Sequence, residues 1–322
     1  MSSDPSLPDP QAVRAAAQRI AGKIRVTPLM EVEPDEAALP FPLTFKLEGL
    51  QHSGSFKVRG AFNALLRTAV PPAGVAAASG GNHGAAVAHA AQTLGLPARI
   101  FVPEIASPAK LERIRAAGAE VVVAGQRYAD ALALCEAFQV ESGAIGIHAY
   151  DAAATIAGQG TLGLEWEQQD ESFDTLLIAA GGGGLIAGLA AWFQGRKRLI
   201  GVEPEGSAAL KAALDAGAPV DVAVESVAAD SLGAKSAGQL THALAARFVE
   251  QVVLVPDSAI LEAQAFLWRR FRLAVEPGGA AALAALLCGA YRPAASERVG
   301  VLLCGANVDL TRLAEVVASA GR

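Results

Sequence analysis

Residues 175–194 read TLLIAAGGGGLIAGLAAWFQ, and this stretch decides how the chain folds. It carries no charged residue and approaches the length of a membrane-spanning helix, which needs about 20 apolar residues. The four consecutive glycines in its middle argue against one continuous helix, because glycine is a poor helix former. We therefore predict a buried strand at residues 175–178, a glycine turn, and a helix at residues 186–193.

The same alternation of strand and helix extends from this stretch in both directions. Short β-rich runs are followed by glycine or serine and then by alanine-rich helical stretches, which predicts an α/β fold with parallel sheets covered on both faces. Asp9 and Ser107, each followed by proline, are predicted helix N-caps. The other predicted strands are residues 43–47, 75–78, 99–102, 120–123, 199–202, 251–255 and 299–303. The other predicted helices are residues 11–21, 55–67, 83–94, 108–117, 127–141, 155–168, 208–216, 260–273 and 279–287.

Composition excludes several classes of protein. The 322 residues are 52% hydrophobic and 18% charged, which suits two domains or one large α/β unit. The net charge of -6 and the lack of a basic stripe argue against a nucleic-acid partner. The first ten residues contain no basic residue and no apolar run, so we expect no signal peptide. Three scattered cysteines, Cys135, Cys288 and Cys304, fit a reducing compartment, and we expect a cytoplasmic protein with no membrane attachment.

A lysine stands in the first glycine-containing turn, at residues 54–60. Ser55 is the predicted N-cap of the following helix, which places Lys57 in the first turn, beside the positive end of the helix. A cation is unfavourable there, whereas a neutral amine, or one consumed as an imine, is not. Such an amine is a nucleophile toward carbonyl compounds. The alternative from these residues alone is an ordinary solvated lysine.

Residues 79–84, Ser-Gly-Gly-Asn-His-Gly, form the turn after the strand at residues 75–78. Small residues and exposed amides at a helix start favour an anion such as a carboxylate. Asn82 adds a neutral donor for a phenolate-type oxygen. The alternative is a tight turn in which Asn82 serves as a helix cap.

Three explanations are open for the glycine turn at residues 181–184: two different ligands and one purely structural role. Successive amides at a helix start can cradle a phosphate. Gly182, Gly184 and Ala187 also fit the dinucleotide fingerprint, with Glu203 about 20 residues further on, so a nicotinamide-dependent oxidoreductase is a rival. Glycines chosen only for close helix–strand packing are the third reading.

Cys304 ends a buried strand in the run Val301-Leu302-Leu303-Cys304-Gly305. A neutral thiol there can hydrogen-bond a ring nitrogen, whereas a carboxylate would protonate that nitrogen. The alternative is an inert core cysteine.

Taken together, these turns resemble the serine/threonine dehydratase and serine racemase family of fold-type II pyridoxal-phosphate (PLP) enzymes, which share a tryptophan synthase β-like fold. The resemblance runs over nearly the whole chain. It implies two domains, each with a mostly parallel sheet flanked by helices: a large discontinuous domain at residues 1–73 plus 143–322, and a small domain at residues 74–142 that closes over the substrate. The motifs that carry it are Ser55-Phe56-Lys57-x-Arg59-Gly60, Ser79-Gly80-Gly81-Asn82-His83, the glycine turn, and Cys304-Gly305-Ala306-Asn307.

The resemblance also implies a role for each matching residue. Lys57 would bind the cofactor covalently as an imine and act as base at the substrate Cα. The substrate carboxylate would lie at Ser79, Gly81, Asn82 and His83. The cofactor would contact Phe56 (pyridine ring), Asn82 (3'-oxygen), Gly181, Gly182, Gly183 and Gly184 (phosphate) and Cys304 (pyridine nitrogen).

Two departures from the family pattern narrow the expectation. Racemases of this family carry a serine at the position of Gly80, and glycine has no proton to give, so we rank a dehydratase above a racemase. Glu203 matches a carboxylate of the family's divalent-cation site, but Ala209 stands where a second carboxylate is needed, so Glu203 is a weak candidate ligand.

We therefore expect a PLP-dependent ammonia-lyase that converts serine, threonine or a similar β-hydroxy amino acid to the 2-oxo acid and ammonia. Relatives are commonly dimers, which implies a homodimer. The alternatives are a serine racemase, a β-replacement PLP enzyme such as a cysteine synthase, and a non-catalytic amino-acid-binding protein. The sequence leaves the β-substituent of the substrate open.

Overall fold

The computed structural model describes residues 7–37, 39–104, 106 and 108–319, and in this part of the chain strands and helices alternate as predicted. The strands are β1 Leu29–Val32, β2 Leu43–Lys46, β3 Val75–Ala78, β4 Ala98–Val102, β5 Glu120–Val123, β6 Ile145–Gly146, β7 Thr175–Ala179, β8 Arg198–Pro204, β9 Gln251–Val255 and β10 Val299–Leu302. The helices are α1 Pro10–Ile20, α2 Pro34–Ala37, α3 Lys57–Arg67, α4 Asn82–Leu94, α5 Pro108–Ala116, α6 Tyr128–Ser142, α7 Ala153–Gln169, α8 Gly184–Phe193, α9 Ala209–Ala216, α10 Ala229–Leu232, α11 Gln239–Phe248, α12 Asp257–Phe271, α13 Pro277–Leu287 and α14 Leu310–Ser319. Short 3-10 turns lie at Glu48–Leu50 and His52–Gly54.

The first sheet has the strand order β1-β2-β10-β7-β8-β9. All neighbouring pairs are parallel except β1 and β2, which are antiparallel. The sequence did not predict β1, a four-residue edge strand whose side chains are mostly exposed or half-buried and so show no buried apolar run. The segment at residues 175–194 is confirmed as a strand, a turn and a helix, and among the described residues no helix is long and apolar enough to cross a membrane.

The second sheet has the order β5-β4-β3-β6, and all of its strands are parallel. Successive residues of β3 point to opposite faces. Val75 and Ala77 therefore join one hydrophobic cluster, and Ala76 and Ala78 join another. The last strand of the second sheet, β6, begins three residues after position 142, the predicted end of the small domain.

Helix α7 lies against α3 on one side and α8 on the other, and glycines form both contacts. A Cβ atom at Gly158 would come within 2.7 Å of the carbonyl oxygen of Arg59 in α3, and one at Gly160 within 2.7 Å of the carbonyl oxygen of Gly188 in α8. Real Cβ atoms do not approach backbone this closely. The three helices therefore touch backbone to backbone.

A buried ion network ties β2, α3 and α7 together below the lysine turn. Lys46 Nζ lies 2.7 Å from Glu165 Oε1, and Arg59 lies 2.9 Å from Glu165 Oε2 and 2.5 Å from Glu48 Oε1. Burial lowers the pKa of Lys46, although Glu165 opposes this. Removing one member would leave a buried charge without its counter-charge, which costs about 3–5 kcal/mol.

Helix starts test two of the predicted caps. Asp9 is confirmed as the N-cap of α1, because its Oδ1 accepts from the backbone N–H of Ala12 at 2.8 Å. The predicted cap Ser107 lies outside the described residues. Helices α2, α10, α11 and α14 were not predicted.

Candidate active site

The four turns meet at the carboxyl ends of the strands. They follow β2, β3, β7 and β10, and β2, β10 and β7 are neighbours in the first sheet, so their turns lie side by side. One cavity there is lined by residues from every turn: Phe56, Lys57, Asn82, Gly181, Gly182, Gly183, Gly184 and Cys304. The residues predicted to bind a cofactor thus share one space.

Lys57 lies in the first turn of α3, as predicted, where it is the first residue of the helix, and it is partly buried. Its Nζ donates to the carbonyl oxygen of Ala149 at 2.9 Å and lies 5.2 Å from the centroid of the Phe56 ring. Burial lowers the pKa of Lys57 to about 8, although Cys304 and Glu276 oppose the change. The neutral, nucleophilic fraction of this amine near neutral pH is therefore much larger than that of an ordinary lysine.

The prediction that Ser55 caps this helix is wrong. The N-cap position belongs to Phe56, and no side chain caps the helix. Ser55 instead forms an isolated antiparallel bridge with Gly305, and the N–H of Phe56 donates to the carbonyl oxygen of Cys304 at 3.2 Å. This long-range pairing holds the lysine turn against the end of β10 and overrides the local capping preference.

The glycine turn has no room for side chains. A Cβ at Gly182 would lie 2.6 Å from the ring of Tyr150, one at Gly184 would lie 2.7 Å from Tyr150 Cβ, and one at Gly181 would lie 2.9 Å from Leu232. Gly183 also has a φ of +85°, in the left-handed region that favours glycine. The turn therefore presents bare amides at the start of α8, which is a site for an anion.

The chain supports this turn from α11. Thr241 Oγ1 donates to the carbonyl oxygen of Gly182 at 3.0 Å. The carboxylate of Asp151 accepts from the N–H groups of Gln239 and Leu240, each at 2.9 Å, and so caps α11. Sequence analysis did not single out Asp151 or Thr241, since neither lies in a recognisable motif.

Cys304 is a buried thiol at the end of β10. Its Sγ lies 3.7 Å from the carbonyl oxygen of Gly278. Burial raises the pKa of Cys304, and the nearby carboxylate of Glu276 raises it further. The thiol is therefore neutral and cannot protonate a ring nitrogen placed against it.

Asn82 begins α4 and is held by two residues that sequence analysis gave no role. Its Nδ2 donates to Glu276 Oε1 at 2.5 Å, and its Oδ1 accepts from Asn307 Nδ2 at 2.6 Å. Burial raises the pKa of Glu276 to about 7, although the hydrogen bond from Asn82 opposes the rise. The sequence did offer one signal for Glu276: it is a single acidic residue directly before Pro277, the first residue of an apolar helix.

The predicted carboxylate-binding residues lie in the turn after β3. Ser79 Oγ accepts from the N–H of Gly81 at 3.2 Å. Burial lowers the pKa of His83 to about 3, and the charge of Lys57 lowers it further. His83 is therefore neutral, and its Nε2–H donates to the carbonyl oxygen of Ile147 at 2.8 Å.

Comparison with known proteins identifies the family. The model of the family "Pyridoxal-phosphate dependent enzyme" matches residues 20–305. The chain belongs to this family. Its cofactor is pyridoxal 5'-phosphate, and the nicotinamide alternative for the glycine turn is wrong.

Similar PLP-dependent proteins include lyases and a racemase. Phenylserine dehydratase of Ralstonia pickettii is 38% identical over 316 residues, which cover 96% of each chain. L-threonine ammonia-lyase of Geobacter sulfurreducens is 37% identical over 95% of this chain and 77% of its own length. The structure of maize serine racemase is similar with a TM-score of 0.89 and 32% identity, covering 97% of this chain and 98% of the other. The predicted fold-type II α/β architecture is thereby confirmed.

The donor set of the cavity fits PLP. The side-chain-free glycine turn suits its phosphate, the neutral thiol of Cys304 suits an unprotonated pyridine nitrogen, and Lys57 supplies an amine for its aldehyde. Glu203 lies elsewhere: its carboxylate accepts from the N–H groups of Leu210 and Lys211 at the start of α9, at 2.9 and 2.8 Å. Among the described residues, no three His, Cys, Asp or Glu side chains form a group that could hold a metal ion.

Proposed function

We propose that this PLP-dependent enzyme is a dehydratase that removes the β-hydroxyl of a β-hydroxy amino acid and releases the 2-oxo acid and ammonia. The observation that carries the choice is at Gly80. Glycine has no proton donor there, and a Cβ would lie 2.9 Å from Val102 Cγ1, so a serine would have to displace the Val102 side chain. A racemase needs such a donor opposite Lys57, whereas elimination does not. The similar phenylserine dehydratase and threonine ammonia-lyase support this function.

In this proposal Lys57 attaches the cofactor and moves the proton at the substrate Cα. When bound, PLP supplies an electron sink for carbanion chemistry at Cα. Phe56 would pack against its pyridine ring, Asn82 would bind its 3'-oxygen, and Cys304 would face its ring nitrogen. The amides of Gly181, Gly182, Gly183 and Gly184 would hold its phosphate.

The substrate carboxylate is proposed to bind in the turn that contains Ser79, Gly81, Asn82 and His83. Because His83 is neutral, it adds no positive charge beside Lys57. Its hydrogen bond to the carbonyl oxygen of Ile147 orients the turn. The carboxylate is then fixed by amides at the start of α4.

We further propose that residues 74–142 form a small domain that closes over the substrate, with residues 1–73 and 143–322 forming the large domain, except that β6 completes the sheet of the small domain by pairing with β3. Asn82 begins α4, directly after β3 of the second sheet. Its partners lie elsewhere in the chain: Glu276 between α12 and α13, and Asn307 after β10 of the first sheet. These hydrogen bonds join the two proposed domains at the site, and closure there excludes water from a reactive intermediate.

We also propose that the enzyme is a homodimer in the cytoplasm. All three cysteines are free, which fits a reducing compartment. Sedimentation velocity of the holoenzyme tests the first statement, and a single monomer boundary contradicts it. Cell fractionation tests the second.

One assay tests the catalytic proposal. The purified holoenzyme is given serine, threonine and related β-hydroxy amino acids without any added nucleophile, and 2-oxo acid, ammonia and substrate enantiomers are quantified. We expect equal amounts of 2-oxo acid and ammonia, and the Lys57→Ala variant to lose both. Enantiomer formation without 2-oxo acid would establish a racemase instead. Borohydride treatment followed by peptide mass spectrometry should find the cofactor on Lys57.

A Lys57→Ala variant that keeps its ligand affinity and biological function would favour a non-catalytic binding protein. A requirement for an added nucleophile before any product appears would favour β-replacement. Both outcomes contradict the dehydratase proposal.

A further inference from the structure

Ser53, in the turn that precedes Lys57, has a strained backbone. Its φ of +58° lies in the left-handed region, which residues other than glycine rarely adopt. The side chain does not explain the strain, because the buried Ser53 hydroxyl has no hydrogen-bond partner among the described residues. Strain of this kind persists only where surrounding contacts fix it, and it is common at functional sites. The contact in question is made by the carbonyl oxygen of Ser53, which accepts from Asn307 Nδ2 at 2.8 Å.

Asn307 joins this carbonyl group to Asn82. Its Nδ2 carries two hydrogens, of which one is donated to Ser53 and the other to Asn82 Oδ1 at 2.6 Å. A main-chain carbonyl oxygen can only accept, so turning the Asn307 amide over would place its own oxygen against that of Ser53. The orientation of the Asn307 amide is therefore fixed, and Asn82 must present its oxygen to it.

Glu276 holds the other end of the Asn82 amide. Asn82 Nδ2 donates to Glu276 Oε1 at 2.5 Å, and both side chains are buried. A Cβ atom at Gly305 would collide with this carboxylate oxygen, so the glycine leaves room for the contact. The oxygen and one N–H of Asn82 are thus engaged at opposite ends of the amide.

The second N–H of Asn82 is available to a ligand, because no other described residue accepts from Asn82 Nδ2. Asn82 lines the cavity that contains Lys57 and the glycine turn. With its oxygen turned to Asn307, the Asn82 amide presents a donor to a ligand in this cavity. A phenolate-type oxygen is an acceptor and suits that donor.

We propose that the Ser53 carbonyl, Asn307 and Glu276 form a clamp that fixes the amide of Asn82 and thereby makes the site select a cofactor with a 3'-oxygen. The inference rests on the proposed contact between Asn82 and that oxygen, and it gives positioning roles to Asn307 and Glu276. An amide without the clamp is free to turn its own oxygen toward the cofactor, where two acceptors repel. Selectivity is then lost although Asn82 itself is unchanged.

The first test measures selectivity for the 3'-oxygen. The cofactor-free protein is titrated with PLP and with the PLP analogue that lacks this oxygen, and the ratio of the analogue's dissociation constant to that of PLP is compared among variants. Asn307→Asp keeps the shape of the side chain but replaces the donor by an acceptor. It should lower the ratio about tenfold or more, and so should Asn82→Ala.

Two outcomes of this test separate the clamp from the contact on which it rests. If Asn82→Ala lowers the ratio and Asn307→Asp leaves it at the wild-type value, the clamp is overturned and the contact stands. If both variants keep the wild-type ratio, the proposed contact of Asn82 with the 3'-oxygen fails too. Neither result depends on turnover, so the dehydratase proposal is tested separately.

Asn63→Asp is the matched control. Asn63 is a buried asparagine of α3, outside the lining of the cavity, and its Nδ2 donates to the carbonyl oxygen of Ala154 at 2.6 Å. The same change there removes a buried donor, so it should lower the melting temperature and leave the ratio of dissociation constants unchanged. An equal fall of the ratio in Asn63→Asp and Asn307→Asp would mean that lost stability changes the selectivity, and it would overturn the inference.

A pair of variants at Glu276 separates positioning from bulk packing. Glu276→Gln keeps an oxygen that accepts from Asn82 and should keep the ratio within about twofold of the wild type, whereas Glu276→Leu has no acceptor and should lower it about tenfold or more. Equal ratios in these two variants would contradict the role given to Glu276. If Glu276→Leu fails to fold, the comparison of Asn307→Asp with Asn63→Asp still decides.

Discussion

Glu276→Gln tests the electrostatics of the active site through stability. Glu276 is 6% exposed, and burial raises its pKa from the ordinary 4.5 to about 7. Between these values the folded protein keeps a proton that the unfolded chain has lost, so the stability that this group contributes falls as pH rises through that window and is constant above it. Each pH unit in the window is worth about 1.4 kcal/mol, which gives a total loss of about 3 kcal/mol.

Glutamine keeps an oxygen that accepts from Asn82 but does not ionise. The cofactor-free Glu276→Gln variant should therefore be about 3 kcal/mol more stable than the wild type at about pH 8, and the advantage should shrink to about 1 kcal/mol or less at about pH 5. Urea denaturation followed by circular dichroism across this range measures the difference. The control is Glu262→Gln, an exposed glutamate on α12, which should leave the pH profile unchanged.

The reasoning would be refuted by two outcomes. Parallel stability profiles for the Glu276→Gln variant and the wild type would mean that Glu276 does not titrate in this window. A variant less stable than the wild type at about pH 8 would mean that the charged carboxylate is satisfied where it lies.

Three further predictions concern the supports of the site. Gly182→Ala places a methyl group 2.6 Å from the ring of Tyr150, and such overpacking costs about 1–3 kcal/mol. The dissociation constant for PLP should therefore rise about tenfold. Adding Tyr150→Leu to this variant should restore part of the affinity. An unchanged constant in the single variant, measured by titrating the cofactor-free protein, would count against the steric argument. Gly80→Ser supplies the missing hydroxyl but brings a Cβ within 2.9 Å of Val102 Cγ1, so it should lower the melting temperature. Adding Val102→Ala should recover the melting temperature and yield racemisation by chiral chromatography, and a double variant that does not racemise would contradict the role given to Gly80. Asp151→Ala removes the cap of α11 and should cost about 1–2 kcal/mol in urea denaturation and weaken PLP binding, whereas normal PLP affinity would show that α11 does not support the glycine turn.

Much of the fold was predictable because its signals are local. Strands β3, β5 and β9 have the predicted bounds, since each is a short run of β-forming or small apolar residues between turn residues. That the predicted cofactor-binding residues line one cavity follows from equally local signals, since each lies in a turn whose composition is unusual by itself.

What the sequence could not supply comes from contacts between distant residues. Tyr150 packs against the glycine turn. Glu276 and Asn307 hold Asn82 although each lies more than 190 residues from it in the sequence. The failed cap at Ser55 has the same origin, since its partner is Gly305.

The backbone contacts of α7 have a consequence for any programme of mutagenesis. This helix sets the distance between α3, which carries Lys57, and α8, which starts at the glycine turn. A single methyl group at Gly158 or Gly160 would widen that gap by pushing on backbone that cannot yield. In a random library, variants with a substitution at Gly158 or Gly160 should therefore be inactive, although they keep Lys57 and the glycine turn unchanged.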